Sequence, residues 1–445
     1  MDKRVTMSPR QAYRAILRTS PVFVTLLVAA PVFAGNVAGM GEAAPQQAVP
    51  ATPVAESNRR TLLENLQNPD SRPLRSLLIE QEMPLVGISW GAQVQFDVPL
   101  NGEPEGADPT FREARLTFYR AFGSHMFGKA TANYNSAGQF EIGDSYFVYT
   151  GWKTLQITAG LFRPPYSLET QSKRAGLTFM ERALPVAALS ERRSAGISLL
   201  KRTPNAIIDM GWYFYSPDDQ GQQEKGQALV LRYVHAPLGS SHDRGFFDGR
   251  DIWAGVSLSY RTNASGPDTR FRSLPEIGVT DDYFVDTGTI DGADRIYRAG
   301  LEASKVDGPF SWQAELLAAK VERDDARSVH FTGGYVLASW FLTGESRNYS
   351  PASGEFLTVK PDAPVGKGNW GAWEVAIRAS TVNLSDRDVV GGRQRNLTAG
   401  LNWYLNARLR MQANLIKVLD VKRPGSPFDG ENPWITALRL QWYLP

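Results

Sequence analysis

The 445-residue chain has no cysteine, four histidines and no run of about 20 apolar residues beyond its N-terminal region. Each shortage excludes something. Without cysteine, and with no paired His spacing, a zinc-type metal site is not expected. The four histidines are His125, His235, His242 and His330. His125 falls in the turn-like "FGSHMFG", and His242 and His330 in loop-like stretches. None has a Ser or Asp partner at a useful spacing, so no catalytic residue is assigned. No glycine-rich loop stands between a strand and a helix, which leaves nucleotide binding unsupported. No cofactor is expected. The lack of a long apolar run excludes a helical membrane span after the N-terminus. Net charge is also small, at +2, so nothing in the bulk charge points to nucleic acid.

What the chain has is alternation. In "VGISWGAQVQFDV" (86–98) every second residue is apolar, and those between are small or polar. Side chains alternate faces along a strand, so one face is greasy and the other wet. Thirteen residues is long for a globular strand and close to the ~9–11 that a tilted strand needs to cross a bilayer. The pattern returns in 252–260, 373–380, 397–405, 409–415 and 434–444, with Gly-, Pro- and Asp-rich stretches between. Short turns at one end and long loops at the other are the layout this suggests. Mean hydropathy is −0.30 with 42 % hydrophobic residues, which a barrel gives because its two faces cancel. A soluble secreted β protein with a well-filled core is the alternative.

The N-terminus favours export. Lys3, Arg4, Arg10, Arg14 and Arg18 precede the apolar "PVFVTLLVAAPVFA" (21–34), which ends in a small-residue cleavage pattern. Residues 1–34 read as a signal peptide, and its loss turns the formal charge from +2 to −2. Residues 35–83 read as a linker followed by a short helical periplasmic segment, broken near Pro69 and Pro73. The remainder, 84–445, reads as an all-β transmembrane antiparallel β-barrel. In its last stretch Trp434, Leu438, Leu440, Trp442 and Leu444 share one face, while Arg439 and Gln441 share the other.

Several motifs then appear in order: "FREARLTF" (111–118), "YTGWKTLQITAGLFRPPYSLE" (149–169), "LTFMERALP" (177–185), "FLTGESRNY" (341–349), "GAWEVAIR" (371–378) and "LNWYLN" (401–406). Together they resemble the phosphate-selective porin O/P family of bacterial outer membranes, over about residues 85–445. The resemblance implies a 16-stranded barrel, a homotrimer, contact with the lipid bilayer and lipopolysaccharide, and passage of small inorganic anions such as phosphate. A weakly selective general porin and a non-conducting ligand-binding barrel stay open beside it.

Selectivity in a water-filled barrel comes from width and from the charges at the narrowest ring. By alternation Arg115, Arg232, Arg298, Arg378, Arg408, Arg410 and Arg439 face the lumen or its mouths, with Asp97, Glu113, Glu302, Glu315 and Glu374 against them. The plain alternative is that these pair and brace the wall, as Glu374 and Arg378 could, four apart in one strand. In the family a loop folds inward to form the constriction, and 163–193 matches it. The family's loop lysine would fall near Lys173–Arg174, with Arg182 on the same loop. Lys360 in "TVKP" and Arg347 in "GESR" resemble basic positions on another loop. Arg112 resembles the first basic residue of an "FRRA" pattern, whose second is Glu113 here. With Arg115, these seven are the expected anion-binding residues.

Overall fold

The computed structural model describes residues 88–100, 109–136, 138–215, 226–236, 252–262 and 269–444. The signal peptide, the 35–83 segment, His242 and most of the 215–227 and 239–251 stretches lie outside the described residues.

The strands run β1 (Ile88–Pro99), β2 (Thr110–Phe122), β3 (Met126–Asn135), β4 (Phe140–Ile142), β5 (Ser145–Tyr149), β6 (Leu155–Phe162) and β7 (Ser194–Arg202). They continue through β8 (Ala206–Tyr215), β9 (Gln227–His235) and β10 (Trp253–Thr262). After the two-residue β11 (Arg272–Ser273) and β12 (Val285–Asp286) come β13 (Ala293–Asp307), β14 (Phe310–Arg323) and β15 (Val329–Phe341). A second small ribbon, β16 (Tyr349–Ser350) and β17 (Glu355–Phe356), precedes β18 (Ala372–Asp386), β19 (Val389–Tyr404), β20 (Leu409–Lys422) and β21 (Trp434–Leu444).

Each long strand pairs antiparallel with the next, and β21 pairs back onto β1, with Ala92 opposite Leu444 and Pro99 opposite Ala437. Closure leaves no strand edge, which is what a spanning sheet requires in lipid. Counting β4 and β5 as one interrupted strand, because both pair with β3, the barrel has sixteen strands. The interruption sits at Gly143–Asp144. Just past it, opposite Tyr146, Gly160 has φ +139, and a Cβ there would lie 2.5 Å from the Ser145 carbonyl oxygen. A side chain at 160 would therefore push β5 off β6.

The alternation predicted for β1 holds. Gln93, Gln95 and Asp97 are buried inside, while Trp90 and Phe96 are exposed outside. The same phase recurs in β19, where Gln394, Asn396, Thr398 and Asn402 are interior and Leu397 and Leu401 exterior. Because a one-residue slip would swap the faces, the phase is testable. Val94 lies at the middle of β1 on the outer face. Val94→Lys is expected to cost roughly 2–4 kcal/mol and to lower refolding yield, whereas Gln93→Lys refolds as wild type. Equal yields in a urea-dilution folding assay would contradict the assigned faces.

Three expectations change. First, the loops are not long at one end only. In an up-and-down barrel the connections alternate ends, so 342–371 lies at the end that also holds both ends of the barrel chain, among short turns such as 308–309 and 405–408. Second, the interior face is not uniformly polar. Ile296, Leu317, Val321, Val329, Phe331 and Leu337 are interior and packed with residues of 163–193 in one apolar cluster. An inward-folded loop needs an apolar floor, and these strands are therefore greasy on both faces there. His330 also lies in β15 and not in a loop.

Candidate pore constriction

The segment between β6 and β7 folds into the barrel. It contains α1 (Leu168–Gln171), a 3-10 turn at Arg174–Gly176 and α2 (Leu184–Leu189). Helices this short are not stable alone, and the wall holds them. The backbone N–H groups of Leu168 and Glu169 each donate to the Glu315 carboxylate at 2.9 Å. Ala183 N–H donates to Glu169 Oε2 at 2.8 Å, and Leu184 N–H to Glu276 Oε1 at 3.0 Å. These bonds satisfy N–H groups that helix starts leave open. At the far end of the segment, Glu191 pairs with Arg261 and Arg298, both at 2.7 Å.

Glu276 belongs to a second inward segment, 269–292, and its φ of 65° is in the left-handed region. A third segment, 342–371, enters from the opposite end. Arg202 donates to the Ala352 carbonyl at 2.7 Å and Arg232 to that of Gly354 at 2.6 Å. Phe356 N–H donates to Ser172 Oγ at 3.1 Å, which ties this segment to the end of α1.

A network of arginines and carboxylates lies beside the loop. Glu181 accepts from Arg112 and Arg439, each at 2.8 Å, and lies 3.8 Å from Arg174. Glu113 lies 2.7 Å from Arg115 and 3.5 Å from Arg174, and Asp97 accepts from Arg439 at 2.6 Å. Burial works to raise the Glu181 carboxyl, but Arg112, Arg174 and Arg439 hold it well below the ordinary carboxylate range. Among the described residues, Nε and Nη1 of Arg174 donate no hydrogen bond.

Next to this network runs a narrow polar cavity of about 80 Å³. Loop residues Arg163, Lys173, Arg174, Arg182 and Arg193 line it, and wall residues Arg115 and Lys129 complete the set. One carboxylate, Asp144, stands against these seven cations. It lies 2.8 Å from Arg193 and 3.6 Å from Lys129.

Four of the expected site residues, Lys173, Arg174, Arg182 and Arg115, therefore come together. Arg112 does not line the cavity, because its guanidinium is buried on Glu181. Arg347 is buried too, with its guanidinium 3.6 Å from the centre of the Phe356 ring. Lys360 is exposed on 342–371. Neither joins the cavity. Glu374 and Arg378 do not pair, because residues four apart in a strand are too distant. Glu374 accepts from Asn402 and Tyr404, while Arg378 meets Glu276 at 3.0 Å and Glu169 at 3.6 Å. Lys129 and Asp144 were not singled out from the sequence. The small Ala130 and Ala132 hide the alternation around Lys129, and the strand break hides Asp144.

The family model for phosphate-selective porin O and P matches residues 86–444. The chain belongs to that family. Porin O of Pseudomonas aeruginosa is 26 % identical over 333 residues, covering 66 % of this chain and 72 % of that protein. An uncharacterized protein of Caulobacter vibrioides is 28 % identical over 270 residues, covering 58 % of this chain and 52 % of that protein, so the match spans about half of its length. Among solved structures, OmpF of Salmonella typhi in complex with daunomycin has a TM-score of 0.51 at 10 % identity, covering 80 % of this chain and 97 % of that one. An anion-selective porin from Comamonas acidovorans has a TM-score of 0.48 at 13 % identity, covering 80 % and 99 %. The porin O/P protein is an outer-membrane channel of a bacterium, and family and fold point to conduction rather than catalysis.

Proposed function

We propose that the protein passes small inorganic anions, phosphate among them, by passive diffusion, and that it works as a homotrimer. The observation that carries the reading is the excess of seven cations over one carboxylate along the cavity beside Lys173 and Arg174. In a narrow, poorly screened space such charges replace part of the hydration of an anion and repel cations. Arginine suits phosphate because its planar fork matches two oxygens at once. The site is thus read as Lys173, Arg174, Arg182 and Arg115, with Lys129, Arg163 and Arg193 added. Residues 1–34 are read as the exported leader and 35–83 as a periplasmic segment, with lipopolysaccharide against the outer wall.

Glu113 supports a second reading, a general anion pore. It holds Arg115 and Arg174 by their charges and so weakens their grip on a passing ion. Two measurements in one bilayer experiment separate the readings. Across a potassium chloride gradient the reversal potential should lie on the chloride side. Added phosphate should then reduce the chloride current if phosphate binds within the passage, and leave it unchanged in a general anion pore. A reversal potential on the potassium side would overturn both.

A further inference from the structure

We propose that Arg182 is a positioning residue: its guanidinium clamps residues 169–172 so that Lys173 and Arg174 stand at the passage wall. This deepens the reading of the cavity as an anion path and rests on it. Sequence reasoning groups Arg182 with the anion-binding cations, but its Nε and Nη2 are committed elsewhere. Nε donates to the Glu169 carbonyl at 3.1 Å, and Nη2 to those of Ser172 at 3.3 Å and Thr170 at 3.5 Å.

Those three carbonyls belong to α1 and the residue that ends it. The last carbonyls of a helix have no partner within it, and a four-residue helix cannot hold its own end. The clamp is reciprocal. Arg182 reaches across to 169–172, while the Glu169 side chain reaches back to the N–H of Ala183, the residue after Arg182. Ser172 Oγ closes the turn on the Leu168 carbonyl at 2.9 Å. The next two residues in the chain are Lys173 and Arg174. They crowd like charges into one cavity with Arg182, whose guanidinium pKa burial and Arg174 push down to about 10. Repulsion of that kind drives an unfixed loop apart, and the clamp opposes it. A guanidinium can present several N–H groups in a fixed fork, whereas an ammonium is a compact point charge. The role therefore depends on the shape of arginine more than on its charge.

The test uses the full-length protein in planar bilayers, comparing wild type with R182K, R182Q and K173Q. The clamp predicts that R182K and R182Q both raise open-channel current noise and lower anion preference to a similar level. K173Q should lower anion preference with a quiet current. If R182K keeps wild-type preference and noise, Arg182 acts as a charge and the proposal fails. A second measurement covers poor channel insertion. The chain has no cysteine, so Lys173→Cys carries a single thiol. Its reaction rate with a charged methanethiosulfonate reagent should change when R182K is added, and an unchanged rate overturns the clamp. A wild-type pore without anion preference would defeat the passage reading alone, since noise and thiol rate still judge the clamp.

Discussion

Reversing the two loop cations together, Lys173→Glu with Arg174→Glu, should move the reversal potential from the anion side toward the cation side. The magnitude follows from position. At an effective dielectric of 20, a unit charge about 8 Å from a passing ion contributes about 2 kcal/mol, and each reversal changes the sign of that contribution. Roughly tenfold or more in the anion-to-cation permeability ratio is expected. Arg174 matters most, because it is the guanidinium shared between Glu113 at 3.5 Å and Glu181 at 3.8 Å. A glutamate there adds a third carboxylate to that group, faced by Arg112, Arg115 and Arg439. Glu113→Arg should act in the opposite direction, by freeing Arg174 and adding a cation. If the double reversal leaves ion preference unchanged at normal conductance, the ions take a path that these side chains do not control.

The barrel was legible because its physics repeats with period two. Lipid sets one face of every strand and water or buried polar groups the other, so Val94 and Gln93, or Leu401 and Asn402, announce their sides without any tertiary information. The loop cations Lys173, Arg174 and Arg182 were legible as a basic segment, and the resemblance gave that segment its place inside the barrel. The partners of each charge were not legible. Arg112 ends on Glu181, 69 residues away, and Arg439 on Asp97, 342 residues away. Such pairs depend on barrel closure and on how deep the loop folds. Arg378 shows the same limit. Alternation placed it inside, but its partners Glu169 and Glu276 come from two different inward segments. Nor could alternation show that 342–371 turns inward from the opposite end, since hydropathy does not record where a loop goes.

The pin beneath the constriction should be as sensitive as its charges. Glu276→Ala is expected to give a folded barrel with a wider, noisier and less anion-selective pore. The carboxylate accepts from Leu184 N–H at 3.0 Å, Ser380 Oγ at 2.6 Å and Thr398 Oγ1 at 2.9 Å. It also meets the Arg378 guanidinium at 3.0 Å. Removing it leaves Arg378 buried with Glu169 at 3.6 Å as its remaining carboxylate. Breaking a buried ion pair from one side costs about 3–5 kcal/mol. The left-handed backbone at Glu276 adds strain of about 1–3 kcal/mol that the lost contacts no longer offset. These losses fall on the contact between 269–292 and α2, while the ladder pairs of the barrel are untouched, so the loop loosens before the wall does. Glu276→Gln keeps one acceptor oxygen and should fall between wild type and alanine. Circular dichroism and the heat-induced mobility shift report the wall, and single-channel conductance reports the loop. An intact wall with wild-type conductance and noise in Glu276→Ala would mean that Glu315 and Glu191 hold the constriction without this pin.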